Sequence, residues 1–269
     1  MLATGTMSPC LDDGGGTTKP DGLHTFRLPH RVTDGGGKEI TIRLADCDGE
    51  RNSANLLIKR KYSAKGYGGG HTVPTDGTCV TFTASSRNAL IGTLSLTVDS
   101  PAGLACDKTF KEELDKFRAI GGTRICELTR FAFDTTRPSL DLLASLFHII
   151  FIYGTHRYEC TDLFIEVNPR HQRFYETMLG FRQVGETRRN DTVGAPSRLM
   201  WLKVSDIRRH IDEHTDKRHA PSHSLYPFFF SPREEIGIQM RLLGEAGEYL
   251  PAAAWNMLPA RTEQYACAQ

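Results

Sequence analysis

Between Thr161 and Glu186 the chain reads TDLFIEVNPRHQRFYETMLGFRQVGE, and nearly every residue of that run constrains the backbone. TDLFIEV is a short apolar run, which predicts a buried strand. Asn168-Pro169 terminates it, and Pro169 sits at or just before a first helical turn without losing a needed donor. His171, Phe174, Tyr175, Met178 and Leu179 recur at three- and four-residue spacing, which places them on one helix face. Gly180 supplies a left-handed stop, and Phe181 folds back to close the apolar end. FRQVGE then opens another strand.

The rest of the chain supplies partners for that unit. EITIRL (39–44) alternates as a strand does, and 49–67 is predicted as a helix with Leu56, Leu57 and Tyr62 inward. A loop spans 65–77. CVTFTA (79–84) and ALIGTLSLTVDS (89–100) are antiparallel strands joined by SSRN. Residues 107–122 form a helix with a Thr109/Glu112 capping box, Phe110, Leu114 and Phe117 on one side, and Gly121 as its stop. TRICELTRFAFD (123–134) is the longest clean strand, and Pro138 opens a core helix running to about Thr155. FRQVGE and SRLMWLKV make a hairpin around TRRNDTVGAP. From about 206 come a charged helix, an aromatic knot LYPFFF (225–230) and a last helix near 233–246. Antiparallel strands followed by strand, helix, strand, helix, strand predict an α/β fold: one mixed central sheet flanked by helices, with a C-terminal helical extension. The expected division is a disordered leader rich in Gly and Thr (1–38), the sheet domain (39–213) and the extension (214–269).

Composition narrows the function classes. The formal net charge of +1 argues against a dedicated nucleic-acid binder. Seven cysteines, odd in number and never spaced CxxC, fit reduced thiols in a cytoplasmic protein better than a disulfide frame or a zinc knuckle. The start has no apolar signal core, and LDLLASLFHIIFIYG (140–154) is too short to span a membrane.

Three segments carry a resemblance. IRLADCDGERNSANLLIKRKYSAKGY, CELTRFAFD and VNPRHQRFYETMLGF, in this order, are similar to the bacterial FeeM-type long-chain N-acyl amino acid synthases. These are GNAT-superfamily N-acyltransferases, related in fold to acyl-homoserine-lactone synthases. The resemblance covers about 39–213. It implies transfer of a long-chain fatty acyl group from acyl carrier protein, or from acyl-CoA, to the α-amine of an amino acid substrate. No permanently bound cofactor and no metal are expected; the donor is the acyl-phosphopantetheine itself.

That chemistry needs a neutral amine, a donor for the developing oxyanion and a protonated leaving thiol. Glu127 is the candidate base and Arg130 the candidate anchor for a carboxylate or the thioester arm. Three residues apart on a straight strand they point to opposite faces, so they serve one site only if a bulge intervenes. The alternative is a structural ion pair. Tyr175 stands either as the acid that protonates the thiolate or as plain core. Asn168 and His171 are candidates for the pantetheine arm, with turn formation and helix capping as the alternatives.

The superfamily's glycine-rich pyrophosphate loop is absent before the core helix, where the chain reads DTTRPSLDLL. Thr136, Arg137 and the helix N-terminus still suit one phosphate. That favours carrier protein, which is acidic, and Lys59, Arg60, Lys61, Lys65, Arg137, Arg170 and Arg173 flank the expected slot. His210, His214, His219 and His223 have metal-like spacing but sit on a charged helix, which reads as solvated surface. LYPFFF is a satellite core, a dimer contact or the cap of an acyl pocket. The rival functions are a homoserine-lactone synthase and a non-catalytic module that binds carrier protein or lipid.

Overall fold

The computed structural model describes residues 24–27, 39–67, 71–74, 77–87, 89–135, 138–214 and 223–249. Its strands are β1 (His24–Arg27), β2 (Glu39–Leu44), β3 (Cys79–Ser86), β4 (Ala89–Val98), β5 (Ile125–Phe133), β6 (Asp162–Val167), β7 (Arg182–Asn190) and β8 (Ala195–Lys203). The helices are α1 (Asp48–Ser63), α2 (Asp107–Arg118), α3 (Leu140–Tyr158), α4 (Gln172–Leu179), α5 (Val204–His214) and α6 (Pro232–Tyr249). One sheet runs in the order β1-β2-β3-β4-β5-β6-β8-β7. Its β5–β6 pair is parallel and its other pairs are antiparallel, so the mixed sheet expected from the sequence is observed.

The two faces are covered differently. On one, α1 packs Ala54, Leu57 and Ile58 over Ala132, while α2 packs Phe110 and Leu114 over Ile125, Phe164 and Leu199. On the other, α3 is buried nearly all round from Leu142 to Gly154, as a helix apolar on every side must be. Ser139 caps it by accepting a hydrogen bond from the Leu142 N–H. Leu225, Tyr226, Phe229, Phe230, Ile238 and Leu242 join the same core. Among the described residues no helix is long and apolar enough to cross a membrane.

Several local expectations are corrected. His24–Arg27, inside the expected leader, is an edge strand that sets Phe26 opposite Ile40. Leu56 is 64% exposed, because the buried stripe of α1 falls at 54, 57 and 58. The Thr109/Glu112 capping box does not form: Cys106 is the N-cap, and Asp107 instead accepts from the Leu104 N–H. After α2 the left-handed residue is Gly122, not Gly121. The hairpin turn shrinks to 191–194 because TRRN and AP pair as strand, with Asn190 opposite Ala195. The C-terminal knot is part of the main core, not a satellite to it.

Candidate active site

β5 and β6 form a ladder only through Ile125↔Asp162, Cys126↔Leu163 and Glu127↔Phe164. Beyond that point β6 continues with β8 to Val167, while β5 follows β4 to Phe133. From Leu128 and Ile165 onward the two strands therefore diverge, and their facing backbone groups lie outside any ladder between them. Such a fork can receive an extended ligand arm as a surrogate strand.

A bulge sits on one arm of the fork. Ser95 pairs with Thr129 but Thr93 pairs with Ala132, so β5 carries one extra residue. Arg130 absorbs it at φ 53, and its carbonyl accepts a 2.8 Å hydrogen bond from Thr93 Oγ1. The extra residue changes the alternation of faces. Ile125 and Ala132 pack beneath α2 and α1, whereas Cys126 and Leu128 point into the α3 core. Glu127 and Arg130 consequently share the α1/α2 face, the condition the sequence set for a common site.

Glu127 is 2% exposed. Its Oε2 accepts from the backbone N–H of Ala105 at 2.8 Å and of Cys106 at 3.3 Å. The carboxylate thus caps α2 from outside, where the helix dipole favours a negative charge. Burial outweighs that help. It raises the Glu127 carboxyl from the usual 4.5 to about 7, against the lowering by the Cys106 and Ala105 hydrogen bonds, and Glu166 adds a smaller upward push. Arg130 donates from Nε to the Thr72 carbonyl at 2.8 Å and from Nη1 to Thr129 Oγ1 at 2.8 Å. The neighbouring strands contribute small buried hydroxyls on this face, with Thr81 and Ser95 bonded at 2.7 Å.

Tyr62, at the end of α1, links these groups. Burial pushes its phenol up to about 12 despite the nearby Arg130 charge. It meets Tyr67 and His71 edge-on, with ring centroids 6.0 and 4.7 Å apart. The sequence marked Tyr62 only as an inward helix position. The signal for more lay in the basic and aromatic run KRKYSAKGY, which ends at Tyr67.

In the turn just before α4, Arg170 donates to the Tyr67 hydroxyl at 3.4 Å and to His171 Nε2 at 3.1 Å. Lys65 is held below its usual range by burial, then by Arg170 and Lys61. His171 is lowered by burial, then by Arg170 and Lys65. Mutual repulsion of this kind marks a concentration of positive charge at the fork. Asn168 is committed to the turn: its Oδ1 accepts from the Arg170 N–H and its Nδ2 donates to the Pro196 carbonyl. Tyr175 packs into the main core against Phe174 and Phe181, and burial followed by the neighbouring Tyr62 raises its phenol well above the ordinary range. Thr136 and Arg137 lie outside the described residues.

The family described as N-acyl amino acid synthase FeeM matches residues 53–203, more than half of the chain. The chain belongs to that family. It is an acyltransferase of the N-acyl-transferring kind. A solved FeeM, an N-acyl amino acid synthase from uncultured soil microbes, is 30% identical over 63% of this chain and 94% of its own, with a TM-score of 0.58. The homoserine-lactone synthase LasI matches at 14% identity over 62% and 91%, with a TM-score of 0.46. An N-acetyltransferase from Staphylococcus aureus Mu50 matches at 13% over 62% and 98%, with a TM-score of 0.42. No curated protein sequence matches the chain. The FeeM-matched span holds the fork, the bulge and α4, and ends where α5 begins.

Among the described residues, His210, His214 and His223 are not gathered into one metal-ligating cluster. His210 sits 3.3 Å from Glu213, His214 bonds the His210 carbonyl, and both rings lie against Tyr226. His219 falls outside the described residues.

Proposed function

We propose that the chain transfers a long-chain fatty acyl group from acyl carrier protein to the α-amine of an amino acid. The observation that carries this reading is the bulge at Arg130, which puts a buried carboxyl of pKa about 7 and a guanidinium on one face beside the strand fork. The thioester arm lies in the fork, hydrogen-bonded to the backbone of the diverging strands. Arg130 orients the acceptor carboxylate. Glu127 takes a proton from the amine as the new C–N bond forms, the C–S bond breaks, and the leaving thiolate takes a proton from Tyr175. A base poised near neutrality suits that task.

Carrier protein is favoured over acyl-CoA by two features together. The sequence lacks a glycine cradle for a diphosphate, and Lys61, Lys65 and Arg170 crowd the fork where the single phosphate of an acidic carrier would dock. Arg170 and His171 are the donor-binding residues in this reading, with Thr136 and Arg137 as further phosphate ligands. Asn168 shapes their turn. The protein then works in the cytoplasm, where carrier-bound acyl chains are made.

Mass spectrometry of lipid extracts from a heterologous host expressing the chain tests the proposal. New N-acyl amino acids support it. Homoserine lactones instead, or no new acyl amide, overturn it.

A further inference from the structure

An apolar crevice lies behind the fork, on the face opposite Glu127. Leu128 and Leu163 bring the two fork strands to it, and Phe147 and Ile150 of α3 form one wall. Ile207 of α5 and Tyr226 and Phe229 of the knot line it as well. Only about 20 Å³ of it admits a water-sized group. Room for about one water is too little for an alkyl chain, so the lining side chains occupy space that a chain entering from the fork would need.

The knot that contributes Tyr226 and Phe229 is held by specific bonds. The Leu225 N–H donates to the Met178 carbonyl at 2.9 Å, and the Tyr226 hydroxyl donates to the Leu179 carbonyl at 2.8 Å. The Phe230 N–H donates to Nδ1 of the fully buried His148 at 2.9 Å. Arg208 on α5 is in turn ion-paired with Glu235 on α6. Ile207, Tyr226 and Phe229 all lie after the family-matched span of 53–203.

We propose that this C-terminal segment is the chain-length ruler of the acyltransferase, with Ile207 and Phe229 as the residues that limit how far the acyl tail penetrates. The inference rests on the long-chain acyl transfer proposed above. It adds that the limit is set by residues outside the family span. Ile207 lines the crevice with an apolar side chain that has no hydrogen bond to lose, so its size can be changed in both directions.

The test uses the full chain, purified, with a ladder of straight-chain acyl carrier protein thioesters and a mixture of amino acids, read by mass spectrometry of the N-acyl products. Ile207→Ala removes roughly three carbons' volume, so the preferred chain should lengthen by about two carbons, while Ile207→Phe should shorten it by a similar step. Phe229→Leu provides a second, milder enlargement if Ile207→Ala does not fold. Opposite shifts from the two Ile207 variants are beyond what a purely structural role would produce. Product from wild type and variants with one unchanged length profile overturns the ruler and leaves the acyl transfer intact. No product from wild type overturns the acyl transfer reading and the ruler with it.

Discussion

Replacing Glu127 by Gln separates the two jobs its side chain performs, because one depends on charge and the other does not. The amide oxygen of Gln can still accept from the Ala105 and Cys106 N–H groups, so the α2 cap should survive. The sign of the pH effect follows from the direction of the shift. Burial raises the folded-state carboxyl from the usual 4.5 to about 7, so the folded state holds its proton over a window where the unfolded chain has released it. That contribution to stability is fully present below pH 4.5 and is lost as pH rises through 7. At about 1.4 kcal/mol per pKa unit, the ionised wild type at pH 8 forfeits about 3 kcal/mol relative to acid conditions. The Glu127→Gln variant has no proton to lose there, so the stability difference between variant and wild type should move in favour of the variant by about 2–3 kcal/mol between pH 5 and pH 8. Denaturant titrations of both proteins at the two pH values measure this without assuming that the substitution is otherwise neutral. A difference that stays constant with pH would refute the elevated carboxyl and, with it, the poised base. The same variant should lose acyl transfer by about 100-fold or more, the scale of losing a general base.

Three further outcomes are expected. Tyr175→Phe should change stability little, since the ring stays packed on Phe174 and Phe181; a kcat falling by about tenfold or more identifies the phenol as the acid, and an unchanged kcat assigns it to the core. Lys65→Gln should move the His171 pKa back up, as followed by NMR titration, because Lys65 is one of the charges depressing it, and should weaken carrier binding by about tenfold in a manner that high salt mimics. Gly180→Ala should cost about 1–2 kcal/mol in a thermal or denaturant melt: Gly180 has φ 83 at the end of α4, and the nearest atom to an added Cβ is an ordinary 3.8 Å away, so the penalty is backbone strain alone.

The elements that sequence reveals best are those governed by local rules. The run from Thr161 to Phe181 is observed almost as written, with Pro169 opening the turn, Gly180 left-handed, and Tyr175 and Leu179 on the buried face, except that His171 falls in the turn before α4 and is exposed rather than on the shared helix face. The bulge was legible only as a condition. Glu127 and Arg130 needed one to share a face, and whether it forms depends on how β4 pairs, which is a property of two distant segments. Glu127 as the outside cap of α2 was invisible for the same reason, since the two are joined through the sheet and not through a local capping box. The knot-and-helix tail is the hardest to place: its aromatic residues announce burial, but not against what, and the answer is the core helix α3 and the end of α4. Tyr62 carries little signal in the sequence because a tyrosine on an inward helix stripe looks like packing until its hydroxyl is seen beside Arg130.

The way the tail completes the core has a consequence for how the protein comes to be made. The sheet is finished at Lys203, yet Leu225, Tyr226, Phe229, Phe230, Ile238 and Leu242 are all 5% exposed or less in the finished fold. During synthesis, therefore, every strand can leave the ribosome and pair while one flank of α3 and α4 still faces water. Only when about forty more residues have emerged can that flank be sealed, an interval of seconds at ordinary translation rates. A nascent chain halted in that interval would present its unsealed apolar side to chaperones, and a fragment cut at the family boundary would be held permanently at that stage.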